Sequence, residues 1–224
     1  MKQSSTDIQY LIKFVSKKEH ADILYHGDLF MHSAEYYHQF EEQGQGDKGE
    51  ASIFPGVCMY RGGEYPIYCM TAINSDNISD GNILINKRII KDFKCDDGFL
   101  VLIDFKSFLS RLKFLETNNN PYHHQPIVYG TPSFELSAKW LCENSLDNLF
   151  VKHPFFSYQQ EYRIIVFEPL HPRIEKEIHD GISMDVAYYD TSRTYRIPKG
   201  LQDISKIYQI NTLQVKNDYL YIPL

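Results

Sequence analysis

One carboxylate in this chain stands where chemistry is to be sought. Glu161 lies where an aromatic-rich approach, Phe150-Val151-Lys152-His153-Pro154-Phe155-Phe156-Ser157-Tyr158, gives way to the apolar run Ile164-Ile165-Val166-Phe167. Gln159 precedes it by two residues and Arg163 follows it by two. On a strand, residues i, i+2 and i+4 project from one face. The spacing therefore predicts that Gln159, Glu161 and Arg163 share a polar face while Tyr162, Ile164 and Val166 fill the core. Such a face can hold a polar ligand. Its bland counterpart is an edge-strand ion pair between Glu161 and Arg163 with Gln159 in solvent.

Other candidate chemistry is thinner. Cys58, Cys69, Cys95 and Cys142 form no C-x-x-C pair and read as reduced, buried thiols, with no metal site expected. Gly44, Gly46 and Gly49 match neither a phosphate loop nor a Rossmann turn. They read as a surface or lid loop, with Asp47 and Glu50 as solvated loop carboxylates. His20, His26, His32 and His38 recur every six residues, which fits neither a helix face nor a strand face, so the series reads as coincidence. His123-His124 read as part of a Pro-flanked loop without metal-ligand spacing. A serine elbow is absent from the sequence, and no cysteine stands out as a nucleophile.

The elements that must position Glu161 follow from periodicity and turn residues. Tyr10–Val15 reads as a strand. Ser16-Lys-Lys-Glu19 has the form of a capping box opening a helix to about Tyr25, stopped at Gly27. Asp28–Ser33 is a second strand, and a short helix is expected over Ala34–Glu42. Gln43–Glu50 is a flexible loop. Strands follow at Ile53–Met59, Tyr65–Thr71, Asn82–Ile85 and Gly98–Asp104, then a helix over Lys106–Leu115. A short strand near Ile127–Tyr129 and a helix over Ser137–Leu149 precede the Glu161 motif. Short late strands fall at Ile182–Ala187, Thr194–Ile197, Ile204–Ile210 and Tyr219–Ile222. Strands dominate without βαβ alternation, so the expected class is α+β.

At 224 residues and 43% hydrophobic residues, the chain can bury a full core, and one domain over residues 1–224 is expected. Aromatics at 14%, with 17 Tyr and 14 Phe, favour sheet. A net charge of −6 argues against a broad polyanion-binding surface. Lys87, Arg88, Lys91 and Lys94, between strands, read as a solvated surface, with a local strand-binding basic ridge as the alternative. No apolar run reaches membrane-spanning length, and Met1–Asp7 is polar, so a soluble, cytoplasmic chain with no membrane partner is expected.

Two sets of segments carry a resemblance. The first is Lys13-Phe-Val-Ser-Lys-Lys-Glu-His-Ala21, Gly27-Asp-Leu-Phe-Met-His-Ser33, Tyr36-Tyr37, then Gly46-Asp47 and Glu50. The second is Phe150-x-Lys152, Phe156 and Gln159-x-Glu161-Tyr162-Arg163. With Gly98–Phe105 they resemble an uncharacterised group of bacterial and phage proteins and, more distantly, the ADP-ribosyltransferases. That resemblance implies a mixed, mostly antiparallel split β-sheet with few helices, and NAD as the ADP-ribose donor. Gln159-Gln160-Glu161 satisfies the Q-x-E pattern, which implies Glu161 as the catalytic carboxylate under the ribose and Gln159 as the group orienting the nucleophile. It implies Lys13, in place of the usual Arg or His, Ser33, Tyr36, Tyr37 and Arg163 as NAD-binding residues, with Tyr36 or Tyr37 stacking on nicotinamide. It further implies a toxin or phage-defence role, a nucleic acid acceptor (an RNA or DNA base), and an antitoxin partner. Alternatives are a noncatalytic binding module on the same fold, a protein-targeting transferase, and a metal-dependent nuclease using His123 and His124.

Overall fold

The structure is a computed structural model that describes residues 7–33, 36–37, 52–54, 57–60, 64–117, 121–130, 146–168, 170, 172–179, 182–189 and 192–224. In chain order the elements begin with β1 (Ile8–Val15), α1 (Lys18–Tyr25), β2 (Asp28–Ser33), β3 (Ser52–Phe54), β4 (Val57–Tyr60) and β5 (Pro66–Asn74). Then come β6 (Ile78–Ser79), β7 (Asn82–Asn86), β8 (Phe99–Asp104), β9 (Tyr122–Pro126), β10 (Val128–Tyr129), β11 (Val151–Lys152) and β12 (Glu161–Val166). The chain closes with β13 (Pro172–His179), β14 (Ile182–Tyr189), β15 (Ser192–Arg196), β16 (Ser205–Gln209), β17 (Gln214–Lys216) and β18 (Tyr219–Pro223). Short helices cover Arg88–Asp92, Phe105–Leu112 and Phe114–Thr117. The class is α+β, with mostly antiparallel sheets and few helices.

The main sheet has eight strands. Its order is β15-β2-β5-β1-β8-β16, and β5 also pairs with β12, which pairs in turn with β9. The registers show how one strand holds three neighbours. β1 pairs with β5 at Thr71–Asn74, and β2 pairs with it at Pro66–Ile67. β12 pairs with β5 from Ile67 to Thr71, overlapping both. A residue has one ladder on each side, so β1 and β2 share one edge of β5 and β12 takes the other. Between Thr71, where β1 leaves, and Ile67, where β2 joins, the main chain of Tyr68, Cys69 and Met70 faces a split in the sheet. Helix α1 bridges the two diverging strands.

Each sheet face is apolar, but differently so. One face buries Leu11, Met70, Ala72, Tyr162 and Ile164 under α1 and the helix Phe105–Leu112. The opposite face carries two separate apolar groups. Ile12, Ile73, Leu100 and Leu102 pack with Ile83, Ile85 and Leu220, while Ile67 and Ile165 pack with Ile127, Leu149 and Phe150. Between those two groups, on the same face, lie Thr71, Cys69, Glu161 and Arg163, because registered cross-strand partners project together. A polar island is thus held between two hydrophobic anchors.

Several expectations are corrected. The helix begins at Lys18 and its N-cap is Lys17, with no side-chain cap. Ser16 therefore falls one residue too early for a capping box. His123 and His124 lie on β9, a sheet strand, not in a loop; the polar, Pro-ended sequence hides a strand that, among the described residues, pairs on one edge. The Ile53–Met59 stretch is an antiparallel pair, β3 and β4. The expected helix at Ala34–Glu42, apart from Tyr36 and Tyr37, and the loop Gln43–Glu50 lie outside the described residues. So does most of the expected helix Ser137–Leu149; its described end is a 3-10 turn, Asp147–Phe150.

Gly27 is a residue the fold requires. Its φ is +97°, and a Cβ there would lie 2.8 Å from Gly200 Cα and 2.9 Å from Ile197 O. The same close approach brings Gly27 O to Ile197 N–H at 2.8 Å and Tyr25 O to Leu201 N–H at 3.0 Å. Gly27→Ala is therefore expected to lower stability by about 2 kcal/mol or more, from the disfavoured backbone and the backbone clash combined. A urea titration showing an unchanged midpoint would contradict this.

Candidate active site

The split opens into a cavity of about 630 Å³. Its walls come from the end of β1 (Ile12–Val15), from α1 (His20, Ile23, Leu24), from β2 (Asp28, Phe30, His32) and from Tyr68–Thr71 of β5. Tyr36, Tyr37, Phe93, Lys152, Gln159, Glu161 and Arg163 complete it. Six sequence-singled residues (Lys13, Tyr36, Tyr37, Gln159, Glu161 and Arg163) thus border one space. Ser33 does not line it. It is buried at the end of β2, where its Oγ accepts the Tyr36 N–H at 3.2 Å.

Glu161 is not on an edge strand. β12 has neighbours on both sides, and all six of its residues are buried. Gln159 is not on the strand at all: it ends the 3-10 turn Pro154–Gln159, and Gln160 follows in the left-handed conformation (φ 45°, ψ 46°). That reversal leaves the Glu161 N–H outside the ladder, and the Tyr129 hydroxyl accepts it at 2.7 Å. Gln159, at 2% exposure, is buried, not solvated. The turn thus brings Gln159 to the cavity by a route different from strand alternation.

The polar island is a hydrogen-bonded network. Glu161 Oε1 accepts from Arg163 Nε at 2.9 Å and from Nη2 at 2.5 Å, and Oε2 accepts from Lys152 Nζ at 2.9 Å. The Cys69 thiol adds a further hydrogen bond to this carboxylate. Arg163 Nη1 also donates to Leu149 O at 2.5 Å, and Lys152 Nζ donates to Gln159 Oε1 at 3.0 Å. Burial by itself would push the Glu161 carboxyl up, but the Arg163 and Lys152 charges outweigh it and hold the group well below the usual carboxylate range.

That direction fixes a pH dependence. A carboxyl with a depressed folded pKa stabilises the fold fully above its unfolded value, near 4.5, and loses that contribution as pH falls toward the folded value. Urea unfolding below pH 4.5 should therefore show stability falling more steeply for the wild type than for Glu161→Gln. Parallel slopes would contradict the assignment.

Lys13 reaches into the split. Its Nζ donates to Cys69 O at 2.8 Å and sits 4.5 Å over the Tyr68 ring. Burial pulls the Lys13 ammonium below its ordinary value, and the nearby Glu161 opposes that shift. At the mouth the aromatic rings stack: His32 on Tyr36 at 3.8 Å, with Tyr37 at 6.0 Å and Phe30 at 4.8 Å edge-on to His32.

Several lining residues escaped the sequence reading. Lys152 was visible as a lone cation in the apolar stretch before the motif, but nothing local says that it turns inward. His20 and His32 line the cavity while His26 caps α1 and faces solvent, so the six-residue spacing spans a helix and the next strand. The basic ridge is partly neutralised: Lys87 pairs with Asp218 at 2.5 Å, and Arg88 lies 3.7 Å from Asp92. Arg88 also sits over the rings of Phe155 and Tyr158 at 4.3 and 4.1 Å. Among the described residues no group of three or more His, Cys, Asp or Glu side chains is placed to hold a metal ion, His123 and His124 included.

No family model, no curated protein and no solved structure matches the chain. Among the described residues no helix is long and apolar enough to cross a membrane.

Proposed function

We propose that the chain is an NAD-dependent ADP-ribosyltransferase of toxin or phage-defence type, acting on a nucleic acid base. The observation that carries this is the convergence of Gln159, Glu161, Lys13, Tyr36 and Tyr37 on one cavity at the split between β1 and β2. A cavity of about 630 Å³ is within the range of small-molecule sites. Lys13, Lys152 and Arg163 outnumber the acidic groups of its floor, which suits a pyrophosphate. The rings of His32, Tyr36 and Tyr37 offer stacking faces to a nicotinamide or adenine.

NAD supplies a glycosidic bond whose leaving group, nicotinamide, departs with the bonding electron pair. Positive charge then develops on the ribose, and the acceptor's nucleophilic atom gives its own pair to the anomeric carbon and sheds its proton to water. Glu161 is suited to hold the ribose 2′-hydroxyl and to stabilise that charge as it develops. It is kept ionised by Arg163 and Lys152, so it serves as an electrostatic and hydrogen-bonding group and not as a proton acceptor. The Cys69 thiol, the weakest donor on the carboxylate, is the partner a ribose hydroxyl would displace. Gln159 orients the acceptor.

A second reading has its own observation. The ion cluster of Glu161, Arg163 and Lys152 is self-satisfied, as in a noncatalytic module that binds an anionic nucleotide. Incubation with NAD labelled in its adenylate half separates the two. Nicotinamide release with label transferred to nucleic acid supports the transferase, and label on protein alone redirects the acceptor. NAD binding without nicotinamide release supports the module. Growth arrest on expression in bacteria, relieved by a neutralising partner protein, would support the toxin role.

A further inference from the structure

Lys13 and Lys152 both line the cavity, but in different surroundings. Lys152 Nζ is ion-paired with Glu161 Oε2 at 2.9 Å. Lys13 forms no ion pair among the described residues. The registered ladder between β1 and β5 ends at Ile12 and Thr71, and Lys13 is the next residue of β1, so it stands at the split. The buried apolar residues Leu24, Tyr68 and Met70 line the same cavity. The Lys13 nitrogen can direct three bonds beyond its own side chain. Cys69 O at 2.8 Å takes one and the Tyr68 ring face at 4.5 Å takes another. Among the described residues the third has no partner.

A buried amine without a counter-ion is suited to nucleophilic chemistry. Burial pulls the Lys13 ammonium below its ordinary value, while Cys69 on β5 and Glu161 on β12 oppose that shift without cancelling it. Lys13 thus holds a larger share of free amine near neutral pH than a surface lysine does, and the free amine attacks a carbonyl carbon. Its protonated share still meets an arriving phosphate as a cation.

The cavity also says which carbonyl compound fits. The rings of His32, Tyr36 and Tyr37 suit a base, and the charges of Lys152 and Arg163 exceed that of Glu161, which suits phosphate. An aldehyde carried on a nucleotide meets both conditions. Cleavage of NAD with water as acceptor yields ADP-ribose, whose anomeric carbon bears a hydroxyl and opens to an aldehyde. That carbon belongs to the ribose that Glu161 is suited to hold, and Glu161 is near enough for its charge to act on Lys13.

We propose that Lys13 is a carbonyl-capturing nucleophile that condenses with the aldehyde form of ADP-ribose, so that the product of NAD hydrolysis is held where the next NAD would bind. The amine nitrogen gives its lone pair to the aldehyde carbon. The carbonyl oxygen leaves as water with the two protons shed by nitrogen, and a C=N bond replaces C=O. Water reverses the step. This rests on the NAD reading above for the source of ADP-ribose.

The test supplies ADP-ribose directly, with sodium cyanoborohydride to reduce the C=N bond to a stable secondary amine. Intact mass and peptide mapping then read the adduct. One adduct on Lys13 is expected, formed near pH 7 at least about 10-fold faster than on exposed lysines, since a pKa lower by one gives about 10-fold more free amine. Ribose 5-phosphate, which carries the aldehyde without the adenylate, should label Lys13 far more slowly. Lys13→Arg keeps a cation but has no amine to condense, and should lose the adduct; the wild-type map decides by itself if that variant does not fold. No adduct, labelling spread evenly over exposed lysines, equal labelling by ribose 5-phosphate, or an undiminished adduct in folded Lys13→Arg would overturn the proposal. Nicotinamide release from NAD by the same wild-type protein tests the transferase independently. A Lys13 adduct without nicotinamide release would remove that activity and leave this inference standing; release without an adduct would do the reverse.

Discussion

Replacing Glu161 by Gln is expected to lower nicotinamide release from NAD by roughly 100- to 1,000-fold, the usual effect of removing a group that stabilises developing charge. The substitution also leaves Arg163 and Lys152 without their anion in a buried cluster, so it weakens the fold. Glu161→Asp separates the two effects. It keeps the charge between both cations but withdraws the carboxylate by one methylene from the cavity. A carboxylate acting on a ribose is sensitive to that displacement, whereas the ion cluster is largely restored. Loss of NAD cleavage in both variants, with near-native unfolding in Glu161→Asp, is the expected pattern. Wild-type cleavage by folded Glu161→Gln would refute the catalytic assignment. Full stability and unchanged ligand binding, with no turnover in wild type or variant, would favour the noncatalytic module.

Arg163→Met should produce the largest loss of stability among single substitutions in the site, about 3–5 kcal/mol. Arg163 is wholly buried, and among the described residues it donates twice to Glu161 Oε1 and once to Leu149 O. Methionine fills much of the space, so the penalty comes chiefly from the orphaned carboxylate oxygen and carbonyl and not from a cavity. The double variant Glu161→Gln, Arg163→Met should be less destabilised than the sum of the single variants, because each single change strands the other partner. Urea unfolding of the three variants measures the coupling. Strict additivity would mean that the pair, though close, contributes independently.

The stretches legible in the sequence were those whose local pattern and buried environment agree. Asp28–Ser33 is bounded by Gly27, which the turn demands, and it alternates as a half-buried strand does. Phe99–Asp104 and the apolar part of β12 read as strands because both are interior and nearly continuous in apolar residues. β9 was not legible, since Tyr122–Pro126 is polar and, among the described residues, pairs on one side. The N-terminus of α1 misled because a Ser-x-x-Glu spacing fixes no register by itself; the helix starts where β1 releases the chain.

The site divides in the same manner. Gln159, Glu161 and Arg163 are neighbours in sequence, and their types alone marked them as a polar group at the mouth of an apolar strand. What the sequence by itself determined was this group and the α+β class, because both depend on short-range periodicity. The tertiary structure decided the rest. It turned Gln159 inward through a left-handed residue instead of along a strand. It brought Lys152 onto both Gln159 and Glu161, and it placed Lys13, His20, His32 and the tyrosines around the same cavity. Those contacts depend on β1 and β2 sharing one edge of β5 while β12 takes the other. Such a choice among distant partners is made by which faces can be buried together, and no local spacing encodes it.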